Sequence, residues 1–112
     1  LHPTRYYSNK QEKETASKLS GGRKQVNSGA TAFKKGDVTT KTVLVENKTT
    51  VKDVKSFSIK KEWLTKLKEE MFAMNKQFCV LVFGFTSAKA EYVVVPIDDY
   101  KELLDAYEEL ND

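Results

Sequence analysis

Histidine and cysteine each occur once in this chain of 112 residues, and proline twice. The single Cys79 excludes an internal disulfide and any zinc site built from several cysteines, and it suits a reducing, cytoplasmic setting. The single His2 stands next to a fraying terminus, which disfavours chemistry that depends on histidine. Long apolar runs are also missing: "FCVLVFGF" falls far short of the roughly 20 residues that span a bilayer. No signal peptide is visible, and a first residue of Leu1 leaves room for a few residues before it. No internal repeat is found. What remains is 39% hydrophobic and 31% charged, the balance of one soluble globular domain with a modest core.

The net charge of +3 hides a lopsided distribution. Residues 1–61 hold 14 Lys/Arg against 5 Asp/Glu, a charge of +9, whereas residues 62–112 hold 5 against 11, a charge of −6. A basic half with a few isolated carboxylates set into it suits a surface that faces a polyanion around a metal site. A solvated, lysine-rich surface has the same composition.

Hydrophobic periodicity and punctuation outline the elements. Residues 1–7 have no period and read as an arm. The stretch from about Ser8 to Leu19 reads as a helix stopped by Gly21-Gly22. Ala16 and Leu19 are its apolar residues, and Glu12, four before Ala16, continues their inward stripe while Glu14 projects from the opposite side. Residues 20–36 are rich in Gly, Ser, Asn and Lys and read as a mobile basic loop, with one short strand near Lys24–Val26. Strands are expected near Asp37–Thr40 and Thr42–Asn47, joined by a tight hairpin around Thr40–Lys41. After the linker "KTTVKDVKS" a helix is expected from about Ile59 to Asn75, with Ser58 as its N-cap and Ile59, Trp63, Leu67, Met71 and Met74 on its core face. Residues 77–85 read as a buried strand and 90–97 as its neighbour. The last segment is an amphipathic helix with Tyr100, Leu103, Leu104, Tyr107 and Leu110 on one side, capped by Asp98 or Asp99. The order α-β-β-β-α-β-β-α predicts an α/β domain with a mixed central sheet of about five strands and helices on both faces.

Within "VLVEN", Leu44, Glu46 and Lys48 share one face and Val43 and Val45 the other. Glu46 and Lys48 therefore emerge together where a buried strand leaves the core. A carboxylate there can hold Mg²⁺ or Mn²⁺, and an ammonium beside it can stabilise a phosphate or orient water. Asp37, on the neighbouring strand, can add a second anionic oxygen across the ladder. Taken alone, Glu-x-Lys is equally an ordinary salt bridge on an edge strand.

The combination "KGDV…VLVENKTT" resembles the PD-(D/E)xK nuclease core, an acid on one strand followed by E-x-K on the next. Together with "EKETASKL…GGRKQVNSGATAFKKGDV", it resembles more narrowly the archaeal-type Holliday junction resolvases and their phage-encoded relatives. Glu12, Ala16 and Leu19 match that family's first helix, and Ser28 and Gly29 its mobile loop. The resemblance spans about residues 8–97 and is specific over 11–50. It departs in Gly36, which replaces a proline, in Asn47 within E-x-K, and in a short interval between Asp37 and Glu46.

The resemblance implies one restriction-endonuclease-like nuclease domain over residues 1–112. Asp37, Glu46 and the backbone carbonyl of Asn47 are implied as ligands of Mg²⁺ or Mn²⁺, with Glu12 as a further metal-site or water-linked acid. Lys48 is implied as the catalytic lysine and Ser28 as a catalytic-loop residue on the scissile strand. In-line attack by an activated water would leave a 5′-phosphate. The implied substrate is branched DNA, a four-way junction, cut by a homodimer in the cytoplasm, that of the host if the chain is phage-encoded. Arg23, Lys24, Ser28, Gly29, Lys34, Lys35, Thr49, Lys52 and Lys55 are the expected DNA contacts, which give affinity rather than sequence preference. A related nuclease acting on flaps, ends or general nicks, and a noncatalytic DNA-binding module of the same fold, are the competing readings. Tyr6 and Tyr7 either stack on bases or pack at the domain edge. Trp63, Met71, Met74 and Cys79 read as core.

Overall fold

The computed structural model of the chain describes residues 3–19, 23–24 and 38–112. Three helices and a mixed sheet make up the fold, in the order α1 (Pro3–Lys18), β1 (Arg23–Lys24), β2 (Val38–Thr39), β3 (Val43–Asn47), α2 (Lys61–Ala73), β4 (Phe78–Phe83), β5 (Tyr92–Val94) and α3 (Ile97–Leu110). Four strands, β2-β3-β4-β5, carry the sheet, and the two-residue β1 extends it beyond β2. The β2–β3 and β4–β5 pairs are antiparallel, whereas β3 and β4 run parallel, in a register that sets Glu46 opposite Leu81. A parallel pair needs a long crossover, and α2 lies within it.

Side-chain alternation divides the core into two layers. On one face Leu44, Cys79 and Leu81 meet Leu67 and Met71 of α2. On the other, Val38, Val45, Val82 and Ala90 meet Ala16 and Leu19 at the end of α1. Helices thus cover both faces of the sheet, and among the described residues α1 and α2 do so while α3 buries no residue.

Several boundaries differ from the sequence expectation, each for a local reason. Residues 3–7 are not an arm: α1 begins at Pro3, and proline is well suited to a first helical turn, where its missing N–H would have had no partner. The second helix starts at Lys61 rather than Ile59, with Lys60 in extended conformation as its N-cap and no side-chain cap bond, so Ser58 does not cap it. It ends in a Schellman turn. Asn75 takes the left-handed conformation (φ 57°), its N–H reaches Phe72 O at 3.1 Å, and Lys76 N reaches Met71 O at 3.0 Å. Pro96 rather than an aspartate is the N-cap of α3, and Asp98 and Asp99 fall in its first turn. The expected hairpin is present, closed by Thr40 N to Val43 O at 2.9 Å and Val43 N to Thr40 Oγ1 at 3.1 Å. No helix among the described residues is long and apolar enough to cross a membrane.

Candidate active site

The end of β3 projects its side chains to both faces. Val45 and Asn47 face α1, while Leu44, Glu46 and Lys48 face α2. Glu46 is buried at 7% exposure, and Lys48 Nζ lies 3.8 Å from its Oε1. The same ammonium sits 4.2 Å from the centroid of the Trp63 ring on α2, a cation–π contact worth roughly 0.5–2 kcal/mol. Trp63 in turn faces Phe57, which stacks on Phe83 of β4. Trp63 packs against the core layer of Leu44, Leu67 and Met71, as its spacing predicts. The ring is only half-buried, and its partner is Lys48, which becomes its neighbour because the β3–α2–β4 crossover lays the start of α2 over the end of β3.

The opposite face is held by hydrogen bonds. Gln11, 1% exposed, donates through Nε2 to Lys48 O at 3.0 Å and to Lys89 O at 3.2 Å, and its Oε1 accepts from the Thr49 hydroxyl. The hydroxyl of Thr15, 2% exposed, donates to Asn47 Oδ1 at 2.6 Å. These contacts fix the backbone of residues 47–49 against α1, since a buried amide or hydroxyl that loses its partner costs about 1–3 kcal/mol. Neither Gln11 nor Thr15 was singled out in the sequence. Their shared feature is an i, i+4 spacing that adds a polar edge to the Glu12–Ala16–Leu19 stripe. Glu12 itself is buried at 7%, while Glu14 stays more open and accepts a bond from Ala90 N at 3.0 Å.

Beyond β3, Lys48 N donates to Val82 O at 2.8 Å, Val54 N to Phe85 O at 2.8 Å, and Ser87 N to Asp53 Oδ1 at 3.0 Å. The segment expected as a linker is therefore pinned to the turn after β4. That turn is tight: a Cβ on Gly84 would lie 2.4 Å from Lys89 O. Glu91 closes it, its Oε2 accepting from Phe85 N at 2.6 Å and Thr86 N at 3.2 Å, and those bonds hold the carboxyl below the usual carboxylate range.

The end of β3 thus sets Glu46 and Lys48 together on its α2 face, and Asn47 and Thr49 on the face against α1, the helix that carries Glu12. Lys52 and Lys55 follow on the exposed pinned segment. Arg23 and Lys24 form the outermost ladder, paired with Thr39 and Val38. Asp37, Ser28, Gly29, Lys34 and Lys35 lie outside the described residues. For a divalent ion the donor chemistry is of the right kind, since Glu46, Glu12 and the Asn47 carbonyl are all hard oxygen donors. Among the described residues no three His, Cys, Asp or Glu side chains gather around a common point. Asp37 directly precedes Val38, whose ladder partner Val45 directly precedes Glu46.

Comparison with known proteins returns no matching family model, no matching curated protein and no matching solved structure.

Proposed function

We propose that the chain is a metal-dependent endodeoxyribonuclease with a restriction-endonuclease-like sheet, specifically a resolvase of four-way DNA junctions. The observation that carries this reading is the pairing at the end of β3. A buried carboxylate, Glu46, and an ammonium, Lys48, stand 3.8 Å apart on one face of a strand whose other face is tied to the helix bearing Glu12. Glu46, the Asn47 carbonyl and Asp37 would hold Mg²⁺ or Mn²⁺, with Glu12 as a further acid acting directly or through water. The bound ion supplies charge neutralisation at the phosphate and lowers the pKa of the attacking water. Lys48 would donate to a nonbridging phosphate oxygen, its ammonium lying 4.2 Å from the centroid of the Trp63 ring. The product carries a 5′-phosphate.

The +9 charge of residues 1–61 supports a DNA-facing surface. Arg23, Lys24, Lys34, Lys35, Lys52 and Lys55 would meet phosphates, Thr49 would flank them, and Ser28 and Gly29 would approach the cleaved strand. Two copies would act on opposed strands of the junction. The buried free Cys79, whose thiol burial pushes up, fits a reducing cytoplasm.

Incubating a synthetic four-way junction with the protein and Mg²⁺ tests the reading. Paired, symmetric nicks with 5′-phosphate ends are the expected result. Equal cutting of linear duplex, or preference for flaps or ends, would replace the resolvase by a nuclease of broader specificity. Junction binding with no cleavage in either Mg²⁺ or Mn²⁺ would overturn the enzymatic reading and leave a noncatalytic DNA-binding module.

A further inference from the structure

The C-terminal helix carries a full apolar face that no described residue of the chain covers. Ile97, Tyr100, Leu103, Leu104, Tyr107 and Leu110 recur at helical spacing and are between 36% and 85% exposed. At roughly 200 Å² for a fully exposed side chain of this size, they leave on the order of 700 Å² of apolar surface on α3. Monomers rarely expose a contiguous patch of more than a few hundred Å², and a stable interface takes about 800 Å² from each partner.

Beside the base of this helix lies a groove of about 570 Å³ between α2 and β5, with Leu64, Phe72, Val94 and Pro96 among its lining. Phe72 is 65% exposed there. Its charged lining is Lys61, Lys68 and Glu69, two lysines to one acid. The helix is opposite in sign: residues 97–110 contain six Asp or Glu and one Lys. Pairing α3 with another α3 would therefore set two acidic helices together, whereas the groove offers it apolar walls and lysines. The chain's own α3 cannot take that place. Only Val95 and Pro96 connect β5 to α3, and a rigid helix of about 1.5 Å per residue cannot double back over the groove from which it starts.

We infer that α3 of one copy seats in the α2–β5 groove of a second copy and the reverse, forming a symmetric dimer through reciprocal helix exchange. This deepens the two-copy element of the proposed function, but the observations that carry it involve none of the nuclease residues. Each copy contributes a helix and a groove, so two different patches must both be intact.

Sedimentation velocity of the full chain across the micromolar range, with Tyr107→Glu on α3 and Phe72→Glu in the groove, tests the inference. Both positions are exposed, so each variant should keep the fold, as checked by circular dichroism. The unmodified chain is expected to be a dimer, and each variant alone should weaken association at least about a hundredfold. A monomeric unmodified chain overturns the inference. So does a dimer that survives either substitution, because exchange needs both patches. Junction cleavage by the same samples keeps the two readings apart. A monomer that cuts removes the interface and leaves the nuclease, and a dimer that never cuts does the opposite.

Discussion

Helices α1 and α3 invert the usual relation between composition and burial. The first is polar along almost its whole length, yet it is docked on the sheet, burying Gln11, Glu12 and Thr15. The second has a broad apolar face, yet it buries nothing. Among the described residues α1 docks through hydrogen bonds to the backbone and side chains of residues 47–49 and 89–90, with Ala16 and Leu19 contributing to an apolar layer. A polar contact of this kind adds little net stability but demands a particular geometry, because each buried group is costly if its partner moves. An apolar face has the opposite properties, strong and tolerant of what it meets. Fixed geometry thus lies beside the Glu46–Lys48 pair, and surface suited to association lies far along the chain from it.

The largest effect should come from the pair itself. Glu46→Gln keeps the shape but removes the charge, and cleavage of a four-way junction in Mg²⁺ should fall to background while junction binding, measured by gel shift, persists. Unchanged turnover would sink the metal-ligand role. The comparison between helices sharpens with Gln11→Leu, which fills the same space but strands the Thr49 hydroxyl and two carbonyls. Urea unfolding should show a loss of about 2–3 kcal/mol. Tyr107→Ala, on the open face of α3, should change the stability of the isolated monomer by less than about 0.5 kcal/mol. Equal losses at the two positions would erase the distinction between the helices.

Part of this arrangement is legible in the residues. Period-two alternation in "VLVEN" places Glu46 and Lys48 on one face, and β-branched runs mark the strands that the sheet contains. The four-residue step from Glu12 to Ala16 marks the inward side of α1, and Glu12 is buried there. Gln11 and Thr15 escape because polar residues do not announce burial: their partners are backbone groups 37 and 78 residues away for Gln11, and Asn47, 32 away, for Thr15. Trp63 is legible as a residue packed against the core, but its contact with Lys48 is not. Its spacing with Leu67 and Met71 is that of a core residue, and nothing local says that the crossover will set its ring beneath a lysine. The amphipathic face of α3 is fully visible in sequence, but periodicity identifies a face without saying what covers it.

A smaller effect tests whether the α2 side of the site also fixes geometry. Trp63→Leu removes the ring beneath Lys48, and cleavage should fall by roughly threefold to thirtyfold, the equivalent of about 0.7–2 kcal/mol. Trp63→Phe retains a π face and should recover most of that loss, which a purely structural role for the ring would not predict. If Leu and Phe behave alike while both variants stay folded, the contact with Lys48 does not matter for turnover.

The mildest perturbation is pH, followed at the platform beneath α1. Glu91 holds the 84–89 turn, whose end supplies Lys89 O to Gln11 and Ala90 N to Glu14. Because the turn's N–H groups lower the folded-state pKa of Glu91, its ionised form is favoured by folding. That contribution is complete above the ordinary carboxylate pKa and fades as pH falls through the lower, folded-state value. Glu91→Gln should therefore melt at a lower temperature than the parent chain at neutral pH, and the two curves should converge as the buffer is taken below the usual carboxylate range. Acid should thereby loosen the platform under α1. A gap between the two proteins that persists undiminished into acid would show that Glu91 acts through packing, and that the platform does not depend on its charge.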